Sequence, residues 1–182
     1  MSGDPDQEYF ADGLTEDIIT DLSQVSALSV VARHTAFAFK GKTLQVQQVA
    51  RDLKVDYVLE GSVRKSNGQV RVTAQLVDGA TGDHRWAHRY DRRFDDIFAL
   101  QDEISKSIVD VLRVTLLPAE LETITRHPTA DARAYEYYLM GRFFYLRGQS
   151  KRHLAIARDM STTTSGWSRI RLMGSRTLWS LN

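Results

Sequence analysis

The run from Val55 to Asp91, VDYVLEGSVRKSNGQVRVTAQLVDGATGDHRWAHRYD, constrains this chain more than any other stretch, because it spells three consecutive β-strands together with their turns. Val70, Val72, Ala74 and Leu76 alternate with Arg71, Thr73 and Gln75, a period of two that sets one face of a strand against a core and the other in water. Asn67-Gly68 separates this run from the preceding one, and that dipeptide accepts the positive φ angles of a tight hairpin turn. Strands are expected at about 56–65, 69–78 and 84–91, each antiparallel to the next.

Helical patterns flank the run. Leu14, Ile18, Leu22 and Val25 recur at three- and four-residue spacing, with Asp12 or Thr15 as the expected N-cap and Glu16-Asp17 near the positive helix end. Ala27 to Ala32, ALSVVA, is short, β-branched and apolar, the composition of a strand buried on both faces. Thr43 is placed to cap a second helix carrying Val46, Val49, Ala50 and Leu53. After the strands, Asp95 or Asp96 can cap a long helix with Ile97, Leu100, Ile104, Ile108, Val111 and Leu112, ending near Pro118. The order predicts an α/β (α+β) fold: a mixed sheet containing the antiparallel meander, with ALSVVA added through a right-handed crossover and helices packed on the sheet.

Beyond the α/β region at 1–117, residues 118–131 are polar and read as a helix tail and linker. From 132 to 160, Ala134, Tyr135, Tyr138, Leu139, Gly141 and Tyr145 place aromatics and small residues at helical spacing, and Leu154 to Ala157 open a further helical run. Two short helices joined by a turn form the unit of a tetratricopeptide repeat, which needs neighbours to bury its faces. Residues 161–182 abandon the pattern and form an irregular tail, which reads as a reading-frame shift near Met160 in preference to a disordered end.

The chain of 182 residues is 42% hydrophobic and 26% charged, enough apolar content for a packed core. A formal net charge of +1 removes the strongest argument for direct nucleic-acid or anionic-membrane binding. With no cysteine, disulfides, thiolate catalysis and sulfur-built zinc sites are excluded. No window approaches the roughly 20 apolar residues that span a bilayer, and the acidic start MSGDPDQE is unlike a signal peptide. A cytoplasmic location is therefore expected.

SGDPDQEYFADGLTEDIITDLS, followed by DYVLEGSVRKSNGQVRVTAQLVDGATGDHRWAHRYDRRFDDIFALQDEI, resembles the TolB-like N-terminal domain of bacterial multidomain signalling proteins, related in fold to FlgO-like domains. The resemblance covers about Ser2 to Leu117, with the repeat resemblance continuing to about Met160. It implies tetratricopeptide repeats after the domain and, before it, a class III nucleotide cyclase, a winged-helix or occasionally a kinase domain. It also implies an apolar front strand ahead of Ser2, so Met1 reads as an internal methionine taken for a start. It carries no catalytic role to any residue.

Candidate chemistry is sparse. His84, Trp86, His88 and Tyr90 share a strand face, but residues four apart on a strand lie about 13 Å apart, too far for two histidines to share an ion unaided. Arg85, Arg89, Arg92 and Arg93 are matched locally by Asp83, Asp91, Asp95 and Asp96, which predicts charge pairing rather than an anion site. Glu16-Asp17 and Asp95-Asp96 could be acid–base or magnesium pairs, yet both fall at expected helix starts, where capping is the simpler account. Ser2-Gly3-Asp4-Pro5 lacks the Lys and Ser/Thr of a phosphate loop and reads as a turn. Ser23, Ser26, Ser29 and Ser62 have no nucleophile-elbow context. Tyr135, Tyr138, Phe143, Phe144 and Tyr145 read as repeat core rather than a base-stacking platform.

No catalytic, cofactor-binding or metal-binding residue is therefore assigned, no cofactor is expected, and no small-molecule ligand is identified. The function expected is a non-enzymatic sensory or protein-interaction module of a bacterial signalling protein, binding protein partners through its helical repeat region. The alternative is a regulatory piece of a class III adenylate or guanylate cyclase, or of a winged-helix transcriptional regulator, with no such activity in the chain alone.

Overall fold

The alternating run becomes the centre of a sheet. A computed structural model describes residues 5–127 and 129–147, and in it β1 (Tyr57–Ser66), β2 (Gln69–Asp78) and β3 (His84–Arg93) form an antiparallel meander in the order β1-β2-β3. Asn67 (φ 50°) and Gly68 (φ 73°) turn the first hairpin with both central residues left-handed, as their identities require. At the second connection, Asp78 accepts from the backbone N–H groups of Ala80 (3.0 Å) and Thr81 (3.1 Å), a local turn that begins just after a bulge at Leu76/Val77.

One face of this sheet is covered by helices. α1 (Pro5–Ser23) contacts β1, and α4 (Ile97–Val111) contacts β2 and β3 and packs on α1. Val70, Val72 and Tyr90 from the strands meet Phe10, Leu14, Ile18 and Leu22 of α1 and Ile97, Leu100, Ile104 and Ile108 of α4 in one buried cluster. Each large aliphatic or aromatic side chain taken from water there contributes roughly 1.5–3 kcal/mol. α2 (Arg33–Phe37) and α3 (Val46–Leu53) lie between α1 and the sheet in the chain, and α5 (Pro118–Ile124) and α6 (Ala132–Arg147) come after α4. The α/β class, with a three-stranded antiparallel meander and packed helices, is as the sequence predicts.

Several local expectations need correction. Ala27 to Ala32 forms no strand: Leu28 and Val30 are only partly buried against the core, and apolar content alone supplied no ladder partner. α1 begins at Pro5, so Asp12 and Thr15 are interior, and the Thr15 hydroxyl donates to the Ala11 carbonyl (2.8 Å) instead of capping. α3 is preceded by Gln45 rather than Thr43, and neither Gln45 nor Asp96, at the start of α4, makes a side-chain cap. α4 stops at Val111, and Pro118, expected to mark its end, instead opens α5 within the expected linker at 118–131. Proline suits that first-turn position because its missing N–H would have had no helical partner. Glu120 then accepts from Leu117 N–H (2.8 Å) and Ser26 N–H (2.9 Å), tying α5 to the end of α1, and both bonds hold its pKa low.

α6 packs on α1, with Tyr135 and Leu139 inside the α/β core. The expected second repeat helix, the tail at 161–182 and the first three residues of the turn expected at Ser2-Gly3-Asp4-Pro5 lie outside the described residues, and Pro5 opens α1. Among the described residues, no helix is long and apolar enough to cross a membrane.

Candidate functional site

α1 carries Asp17 and Asp21 one turn apart, beside the stripe of Leu14, Ile18 and Leu22, and α4 carries Gln101 and Ser105 at the same spacing beside Ile97, Ile104 and Ile108. Packing the two helices joins these residues into a two-rung polar ladder. Gln101 Nε2 donates to Asp17 Oδ2 (2.9 Å), and Ser105 Oγ donates to Asp21 Oδ2 (3.2 Å). Gln101 and Ser105 are 2% and 0% exposed, so these polar groups sit inside the core and depend on each other for partners.

α6 completes the first rung. The Tyr135 hydroxyl donates to Asp17 Oδ2 (2.5 Å) and accepts from Gln101 Nε2 (2.8 Å), closing a triangle among three helices. Three further contacts fasten α6. Glu136 accepts from the Tyr9 hydroxyl (2.6 Å) and from Lys65 of β1, and Arg142 pairs with Glu16. The Lys65 ammonium also lies 3.6 Å from the ring centroid of Phe94. Arg33 Nε is 2.6 Å from Glu16 Oε2, but its N–H is misaligned, so that contact is charge against charge rather than a hydrogen bond. Between α1 and α6 a cleft of about 50 Å³, lined by residues including Asp12, Glu16, Arg33, Leu139 and Arg142, is well below the roughly 300–1,000 Å³ of pockets for drug-sized ligands.

Burial sets the electrostatics. Desolvation raises Asp17 above the ordinary aspartate range, opposed by its bonds from Tyr135 and Gln101 and by the charge of His127. Desolvation likewise pushes Asp21 up to about 7, against its bond from Ser105 and with help from the neighbouring carboxylates of Asp17 and Asp102. The Tyr135 phenol is held well above its usual range by burial and then by Asp17. Arg142 is lowered by burial. The arrangement places titratable groups where α1, α4 and α6 meet.

The capping account of Glu16-Asp17 is thus overturned: both are mid-helix, Glu16 facing two arginines and Asp17 bonded to two other helices, α4 and α6. Asp95-Asp96 lies in a 3-10 turn, and Asp96 accepts from Arg93 (3.2 Å). Trp86, His88 and Tyr90 share a face, His88 stacking on Trp86 (centroids 6.3 Å) and meeting Tyr90 edge-on (4.5 Å), whereas the bulge at Leu76/Val77 sets His84 opposite Val77 and breaks the alternation there. Among the described residues, no group of three or more metal-ligating side chains converges. The arginines pair locally, although Arg85 takes Asp78 (2.9 Å) rather than Asp83 and Arg92 takes Glu103 (2.8 Å). Of the aromatic set, Tyr135 is core, and Tyr138 and Phe143 pack against it. The missed residues are Asp21, Gln101 and Ser105, whose signal was a matched pair of polar residues at helical spacing on each of two apolar stripes.

Residues 4–107 match the family model described as HilA/YgeH-like transcriptional regulator, second domain. The chain is also 54% identical over 142 residues to the Rhizobium meliloti (strain 1021) protein named "Putative adenylate cyclase 3", an alignment covering 78% of this chain and 24% of that protein. The chain therefore spans about a quarter of the length of this curated relative. The family match overturns the resemblance to a TolB-like domain with tetratricopeptide repeats, and the expected lost front strand, which rested on that resemblance, loses its basis. Tyr135 of α6 is buried in the α/β core.

Proposed function

The chain belongs to the HilA/YgeH-like transcriptional regulator second-domain family, and on that premise we propose that it is a non-catalytic regulatory module of a larger signalling protein that makes a cyclic nucleotide. The observation that carries this reading is the 54% identity to a protein named for adenylate cyclase activity, of which this chain matches only a 24% portion. A segment of that share is suited to control an activity housed elsewhere in the same protein. The polar triangle of Asp17, Gln101 and Tyr135 supports the reading, because α6 is the described element that leads out of the module and it is held by titratable contacts. A change in those contacts alters how α6 is seated on α1 and hence the direction in which it leads the chain, the kind of bistable element through which a module biases a distant site.

The family description favours a second reading, in which the same module serves a transcriptional regulator. The two share a regulatory role and differ in output. Deleting the matching segment from the Rhizobium meliloti relative and assaying cyclic AMP tests the first: output should change, and supplying this chain in its place should restore it. Output indifferent to the deletion contradicts the cyclase reading. The purified chain alone, supplied with ATP or GTP and magnesium, should form no cyclic nucleotide; steady turnover contradicts the non-catalytic assignment.

A further inference from the structure

α1 and α4 cover one face of the sheet, and the other face, apart from the buried Val77 at its far end, is arginine-rich. The register sets its residues in rows across the three strands: Ser66, Gln69 and Arg93; then Arg64, Arg71 and Asp91; then Ser62, Thr73 and Arg89; then Glu60, Gln75 and Ala87. All four arginines are exposed, and Ala87 is the one apolar residue in these rows.

Arg64 lies directly opposite Arg71, a like-charge cross-strand pair that costs the sheet stability. Arg71 (2.6 Å) and Arg89 (3.6 Å) share the single carboxylate of Asp91, Arg93 leans to Asp96, and among the described residues no carboxylate pairs with Arg64. Glu60 is taken up by Gln75 (3.0 Å) at the far end. Positive charge is thus in surplus on this face, with Arg64 set against Arg71.

We infer that this face is a docking surface for an acidic segment of another protein. Guanidinium forks suit discrete carboxylates, and the interleaved Ser62, Ser66, Gln69 and Thr73 offer neutral hydrogen bonds between them. Arg71 and Arg89 sit diagonally, about 7–8 Å apart, within the span of carboxylates one helical turn or two strand residues apart. Residues 148–182 have the wrong sign, with Lys151, Arg152, Arg158, Arg169, Arg171 and Arg176 against Asp159 alone, so they are not the occupant. A nucleic-acid backbone fits less well: Asp91 stands among the arginines, and no aromatic ring on these rows offers a stacking platform. This docking role goes beyond the regulatory reading and is independent of it.

The test is titration of the full chain with short fluorescein-labelled poly-L-glutamate, with labelled duplex DNA as a second arm at equal salt. Arg64→Glu and Arg89→Glu should each weaken binding to poly-L-glutamate by about tenfold, whereas Lys42→Glu, a charge reversal off this face, should not. Arg64→Glu should at the same time leave the unfolding midpoint unchanged or raise it, since it gives Arg71 an opposite charge across the pair. Binding unaffected by Arg64→Glu and Arg89→Glu, or weakened equally by Lys42→Glu, overturns the assignment. Tighter binding to the duplex with the same arginine dependence overturns the acidic-protein partner in favour of nucleic acid.

Discussion

The Tyr135 hydroxyl donates to the Asp17 carboxylate at 2.5 Å, linking residues 118 positions apart, and it does so while accepting from Gln101. Removing the hydroxyl leaves a buried carboxylate with Gln101 as its remaining donor in this triangle. Tyr135→Phe should therefore destabilise the chain by about 1–3 kcal/mol, the range for losing a hydrogen bond to a buried charged group. Urea unfolding followed by circular dichroism measures it; an unchanged midpoint would show that the bond contributes nothing net.

The raised carboxylates fix the sign of the pH dependence. Asp21 binds its proton at about 7 when folded, against an ordinary 3.8, and Asp17 is shifted in the same direction. Each contributes stability that is complete below the unfolded value and is lost as pH climbs through the folded one. Asp78 and Glu120 are shifted down by backbone hydrogen bonds, and their contribution is lost only as pH falls through the acid range. The unfolding midpoint should thus decline from about pH 5 to about pH 7 and then level off. Asp21→Asn should flatten most of that slope; a midpoint that climbs over the same interval contradicts the burial of these groups.

Little in this ladder was legible in the sequence, whereas the hairpin was. Asn67-Gly68 encodes its turn locally, and the alternation of β2 reports its own burial, so three strands could be placed nearly to the residue. Glu16-Asp17 resembled a helix start because the apolar stripe begins at Leu14, although the helix runs back to Pro5. Its partners lie on α4 and α6, far along the chain, and no local propensity points to them. Pro118 misled for a related reason: a proline ends one helix or opens the next, and only the position of its neighbours decides which.

Seating of α6 also requires close approach between α1 and α6. A Cβ added at Gly13 would lie 2.4 Å from Leu139 Cδ2, and Leu139 is buried. Gly13→Ala forces the Leu139 side chain to shift, and with about 1 kcal/mol of helix propensity regained the net cost should be up to about 2 kcal/mol. Combining it with Leu139→Ala should cost less than the two single changes summed, with a coupling of about 0.5–3 kcal/mol. Additive losses would show that the two residues do not meet.

The first hairpin offers a backbone-only test. Gly68 has φ 73° with open space around the missing Cβ, so Gly68→Ala meets no neighbour and suffers only the left-handed conformation. A loss of about 1–2 kcal/mol in thermal or urea unfolding is expected; no loss would mean that the turn adopts another geometry.

The central claim is that the seating of α6, held by Tyr135 on Asp17, communicates with a distant output. The most direct measurement is cyclic AMP synthesis by the Rhizobium meliloti relative carrying this chain in place of its matching segment, with and without Tyr135→Phe. The graft should sustain regulated synthesis, and Tyr135→Phe should shift it by about fivefold or more, the lower end of a typical coupling between sites. Synthesis unchanged by Tyr135→Phe, in a graft where that substitution demonstrably weakens the module, would contradict it.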